Sequence, residues 1–98
     1  MLSYEAAKAV EGDAFTIQAG TGPALPLVLV EVKPGRLRTP VPGLPKPFSL
    51  YLKGTPRVLC QQGTYVLENA QLGRLEVFVV PVADDAETGE FLYQVVFN

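Results

Sequence analysis

The chain contains no histidine and no tryptophan, and it has one cysteine among its 98 residues. Without histidine the usual acid–base residue is missing, and so is any Cys–His dyad within one chain. One cysteine forms no intramolecular disulfide, and zinc-type sites, which draw on histidine and cysteine, would find a single donor of that kind. Charge is scarce too: charged residues make up 18%, where about 25% is typical. No apolar run approaches the ~20 residues that span a bilayer. The opening MLSYEAAKAVEGD lacks the basic and apolar regions of a secretory signal. These absences set the expectation of a non-enzymatic chain in the reducing cytoplasm, needing no cofactor and no membrane.

What is present is apolar and regularly patterned. Hydrophobic residues reach 48%, which excludes a disordered chain. The length fits one domain, residues 1–98, able to bury roughly 60–68% of its unfolded surface. Ser3 is a suitable N-cap, Glu5 favours a helix N-terminus, and Ala6, Ala7 and Ala9 are strong helix formers before Gly12. Two or three helical turns fit there.

Beyond Gly12 the apolar period is two, the mark of strands. AFTIQA (14–19), LVLVEV (27–32), FSLYLK (48–53), TYVLE (64–68), RLEVFVVPV (74–82) and FLYQVVF (91–97) are separated by Gly/Pro turns, with a possible short strand at 57–60. Strands 64–68 and 74–82 form a hairpin around Asn69 to Gly73, and DDAETGE closes the next one. Pro81 belongs near a strand end or on an edge, because it has no N–H to donate. The expected fold is all-β: a small antiparallel barrel or sandwich of six to seven strands with one short N-terminal helix.

Few candidate sites emerge. Cys60 follows Val58 and Leu59, a setting that favours strand packing over a reactive thiolate. Asp84, Asp85, Glu87 and Glu90 lack the spacing of a calcium loop. Glu68 and Glu76 share a hairpin with Arg74, so a cross-strand ion pair competes with a catalytic carboxylate pair. Catalytic, cofactor-binding and metal-binding residues are therefore assigned to none.

Charge and surface apolarity say more. Residues 1–32, 33–57 and 58–98 carry net charges of −3, +6 and −5. Lys33, Arg36, Arg38, Lys46 and Lys53, with Tyr51, make a candidate anion- or partner-binding set in the basic centre. That set supports a polyanion or single-stranded nucleic acid reading as the alternative, which a sequence pI near 5.0 opposes. Leu27, Leu29, Val66, Phe78 and Leu92 stand opposite the expected core and form a candidate apolar interface. They point to a protein partner or to self-association. The proline-rich stretch 33–47 is the longest irregular segment, and Pro42 and Pro45 make an incomplete P-x-x-P.

Tyr4-Glu5, Gly12 to Phe15, Pro47 to Leu50, Gln62 to Tyr65, Leu72 to Pro81 and the closing Phe97-Asn98 recur in order. In these the chain resembles a family of small uncharacterised bacterial proteins, a domain of unknown function often encoded beside phage-tail-collar or tail-fibre-like proteins. The resemblance implies a structural or accessory role and carries no catalytic residues. Ala7 departs from it, standing where the family often has a large aromatic.

Overall fold

Alternation of apolar and polar residues closes this sheet on itself. The computed structural model describes residues 2–35 and 42–98. Its elements are α1 (Tyr4–Ala9), β1 (Ala14–Gln18), β2 (Leu25–Pro34), β3 (Phe48–Gly54), β4 (Gly63–Asn69), β5 (Gly73–Asp84) and β6 (Phe91–Phe97). The strands form a closed antiparallel barrel in the order β1-β2-β3-β6-β5-β4. Two three-stranded meanders, β1–β3 and β4–β6, are joined through the β3–β6 and β1–β4 seams. The expected all-β barrel with a short N-terminal helix is what the chain forms.

Side chains from every strand fill the barrel. Phe15, Ile17, Leu50, Leu52, Leu67, Val79, Tyr93 and Val95 are all buried, as the alternation predicts. β2 departs from it. A bulge between Leu29 and Glu31 inserts one residue and inverts the side-chain phase. Leu27 and Leu29 therefore point inward together with Val32, and Leu29 pairs with Leu52. The candidate interface positions Leu27 and Leu29 are thus core residues, and Val28 and Val30 face out in their place. A second irregularity lies between Pro81 and Ala83 on β5. Pro81 sits beside it, in a sheet with no free edge, where a bulge is the remaining place that tolerates a missing N–H.

The helix is shorter than expected, six residues, because Val10 already leaves helical geometry with ψ of 14°. Ser3 Oγ accepts the Ala6 N–H at 3.1 Å, as an N-cap should. Ala7 and Val10 are buried against the barrel, so the small side chain at 7 is packed without a gap-filling aromatic. Tyr4 meets Phe48 edge-on at 6.0 Å, and Phe48 stacks on Phe97 at 4.9 Å. Near the β2 bulge the Glu11 carboxylate accepts the Val32 N–H at 2.8 Å and also binds Lys8. The Val32 amide, then Lys8, hold the Glu11 carboxyl below its ordinary range.

No strand forms at 57–60. Residues 55–62 instead link β3 to β4, which stand three places apart in the ring, so the segment crosses the barrel end opposite α1. Tyr93 holds it from below: its hydroxyl accepts the Cys60 N–H at 2.9 Å and donates to the Val58 carbonyl at 3.2 Å. Arg57, with φ of 62°, donates its N–H to the Gly89 carbonyl at 2.8 Å. That backbone region costs a non-glycine residue about 1–2 kcal/mol. Gly54 lets the Tyr93 ring approach, since a Cβ there would stand 2.9 Å from Tyr93 Cε2.

Burial pushes the Tyr93 phenol up to about 12 from its ordinary 10.0. An acid whose folded pKa is raised contributes stability that is complete below the unfolded value and is lost as pH rises toward the folded one. Wild-type stability should therefore fall between about pH 10 and pH 12. Tyr93→Phe should lose most of that slope, Tyr65 keeping a smaller share, and cost about 1–3 kcal/mol at neutral pH, because two backbone groups lose their partner. Urea unfolding across pH, read with tyrosinate absorbance, checks both.

Candidate docking surface

Outward-facing residues of β5 run Arg74, Glu76, Phe78, Val80 and Val82. Val80 stands opposite Gln94 on β6, and Ala83 opposite Leu92. Two residues along each strand from the Val80–Gln94 pair lie Phe78 and Val96, which are 53% and 54% exposed. Val82 is 45% exposed. Phe78 pairs in turn with Thr64 of β4, beside half-buried Val66. An apolar strip thus runs along the outside of β5 and β6. Its polar interruption, Gln94, is occupied: Nε2 donates to Tyr51 Oη at 3.0 Å and lies 3.4 Å from Ser49 Oγ.

Of the candidate interface residues, Phe78, Val66 and Leu92 fall on or beside this strip, and Leu27 and Leu29 do not. Val82 and Val96 were missed. Val96 follows the same alternation as Leu92, and Val82 the same alternation as Phe78 and Val80, so both were available from the pattern. Val28 and Val30 form a separate exposed pair on β2.

The basic candidates are not gathered into one patch. Lys53 lies 3.8 Å from both Asp85 and Glu90, so acidic groups of the β5–β6 loop already answer its charge. Lys33 sits 5.6 Å above the Tyr51 ring, which it covers as a cation–π partner. Tyr51, also bonded by Gln94, is half-buried. Lys46 is exposed just before β3. Arg36 and Arg38, with part of the 33–47 stretch, lie outside the described residues.

Cys60 is half-buried against the core in the crossing segment, not in a strand. With Ile17, Leu25, Leu59 and Tyr65 it lines an open cavity of about 370 Å³ at that barrel end. Tyr65 donates to the Gln61 carbonyl at 2.6 Å, and burial, then Cys60, raises its phenol above the ordinary value. At the other end, Asn69 is the buried polar residue among those described. Its Nδ2 donates to the Ala14 carbonyl at 3.0 Å, and Oδ1 accepts the Gln71 and Leu72 amides. A shallow cavity of about 490 Å³ opens there beside Ala14, Thr16, Glu68 and Gly73. Glu68 stands opposite Arg74 and Glu76 opposite Val66, both carboxylates exposed on the outside of the hairpin. No group of three potential metal ligands occurs among the described residues, and no helix there is long and apolar enough to cross a membrane.

The loop after β5 is ordered by its own aspartate. Asp85 Oδ1 accepts the Glu87 and Thr88 amides at 2.9 and 3.2 Å. Those amides, in that order, hold its carboxyl below the ordinary value. A depressed carboxylate contributes order that is present above its unfolded pKa and lost as pH falls through the folded one. The protection factors of the Glu87 and Thr88 amides, taken relative to their intrinsic exchange at each pH, should fall as pH drops below the carboxylate range, and Asp85→Ala should remove that protection at every pH.

Residues 2–97 match the family described as Domain of unknown function (DUF6916), and the chain belongs to it. No curated protein and no solved structure matches the chain.

Proposed function

We propose that this member of the family is a non-catalytic structural or adaptor domain that docks onto protein, its own copies included, through the outer strip of β5 and β6. The observation that carries the reading is Phe78, a large aromatic half-exposed in mid-strand and flanked by Val80, Val82 and Val96. Exposed aromatic and aliphatic side chains on a rigid sheet lose little conformational freedom when covered, which suits them to docking. Closure of the barrel favours this face over strand addition, since a closed sheet offers no unpaired edge. An accessory place in a phage-tail-like assembly, which the sequence resemblance implies, would be one use of such a surface.

The wild-type chain should associate reversibly, with an average mass that rises with concentration. Phe78→Glu places a charge in the middle of the strip and should hold the chain monomeric without altering its thermal unfolding, as Phe78 lies outside the core. Light scattering coupled to gel filtration reads the mass, and a thermal melt reads the unfolding. A wild type that stays monomeric at high concentration overturns the reading.

A further inference from the structure

The barrel end under the crossing segment has a hollow that the docking strip does not use. This open cavity of about 370 Å³ lies between residues 59–61 of the segment and the turn that joins β1 to β2. Small ligands are held in hollows of roughly 300–1,000 Å³, and the mouths of β-barrels are a common place for them. Ile17, a core side chain only 1% exposed, forms the floor. Pro23, Leu25 and Leu59 add apolar walls. No Asp, Glu, Lys or Arg lines it. By contrast, the cavity beside Asn69 contains Glu68, the one beside Gly54 contains Lys53 and Glu90, and the one beside Ala83 contains Asp84 and Asp85. Both walls are fastened by the chain itself. On one side Gln18 Nε2 donates to the Gly22 carbonyl at 2.8 Å, and the Gly22 N–H donates to the Ala19 carbonyl at 2.9 Å. On the other, Tyr93 holds the Cys60 N–H, and the Tyr65 hydroxyl donates to the Gln61 carbonyl. A hollow formed in advance loses little conformational freedom when it is filled.

We infer that this cavity binds a small uncharged molecule with an apolar body and one hydrogen-bond donor, a hydroxyl or an amide N–H. The chemistry of the lining decides the class. An ion would exchange its water for walls that offer no opposite charge, which costs far more than moving a neutral group. The donor is set by Tyr65. Its hydroxyl has given its proton to the Gln61 carbonyl at 2.6 Å, so the oxygen has only lone pairs left to offer. A ligand hydroxyl or N–H can donate to them, whereas a carboxylate brought to the same place would face them with its own lone pairs. The volume equals that of about twelve waters at ~30 Å³ each, room for a ring with a substituent. The cavity opens at the end of the barrel and the docking strip lies along its side, so the two readings stand or fall separately.

Cyclohexanol and cyclohexanecarboxylate share a ring and differ in charge, and they serve as the probes. Cyclohexanol titrated into the isotope-labelled chain should shift the amide resonances of Ile17, Leu25 and Leu59 saturably. It should also slow alkylation of Cys60 by iodoacetamide, since the thiol stands at the rim. Cyclohexanecarboxylate should bind about tenfold more weakly or worse, because its charge finds no partner there. Ala19→Trp places an indole in the hollow from an exposed position outside the strands. It should abolish both effects of cyclohexanol while circular dichroism and thermal unfolding stay as in the wild type. Pro23→Trp, also from an exposed position, repeats the test should the first variant fail to fold. Five results overturn the inference: shifts that never saturate, shifts confined to Phe78 and Val96, Cys60 alkylation indifferent to cyclohexanol, equal binding of the carboxylate, or wild-type binding by a folded tryptophan variant. Each of them leaves the docking strip untouched.

Discussion

Pairing of β1 with β4 closes the barrel, and most of what the molecule can do follows from that seam. It is short: Thr16, Ile17 and Gln18 pair with Glu68, Leu67 and Val66. Where the strands part beyond it, Asn69 lends its side-chain amide to the Ala14 carbonyl in place of a backbone donor. Closure satisfies the backbone groups that an open sheet of this length would present to other chains. Recognition is then left to side chains on the outer faces, and the apolar ones concentrate on β5 and β6.

Both barrel ends are covered by segments that are not strands. The helix covers one end through Ala7 and Val10, with the Tyr4, Phe48 and Phe97 rings beside it. The crossing segment 55–62 covers the other and is held by the Tyr93 hydroxyl. A hydroxyl that donates to one backbone group and accepts from another fixes an irregular segment without regular structure. It also explains why a tyrosine stands at a core position that a phenylalanine would fill by size. Cys60 takes part through its backbone N–H, and its thiol sits at the rim of a cavity.

The strand pattern, the hairpin at Asn69 to Gly73, the N-cap at Ser3 and most of the core were legible in the sequence. Side chains alternate along a strand, and one buried face selects apolar residues at every second place. Gly73 adopts a φ of 74°, as the turn requires. Legibility failed at the bulges. Counting back by twos from Val32 makes Val30 and Val28 core and Leu29 and Leu27 surface, and one inserted residue reverses all four. The candidate surface was read partly right for the same reason: Phe78, Val66 and Leu92 lie on stretches where the phase is unbroken, and Leu27 and Leu29 do not. Lys53 looked like a free cation because its acidic neighbours are 32 and 37 residues away in sequence.

The sequence by itself determined the class of the fold, since a two-residue period over six segments with turn residues between them admits little besides a small antiparallel β structure. It also determined that chemistry relying on histidine has no residue to use. Only the tertiary structure decided that the sheet closes, which strands neighbour one another, and which valines face water. Those depend on pairings between residues far apart in the chain and on single-residue bulges. Neither leaves a periodic trace, because the free energy that selects them arises when the two meanders meet.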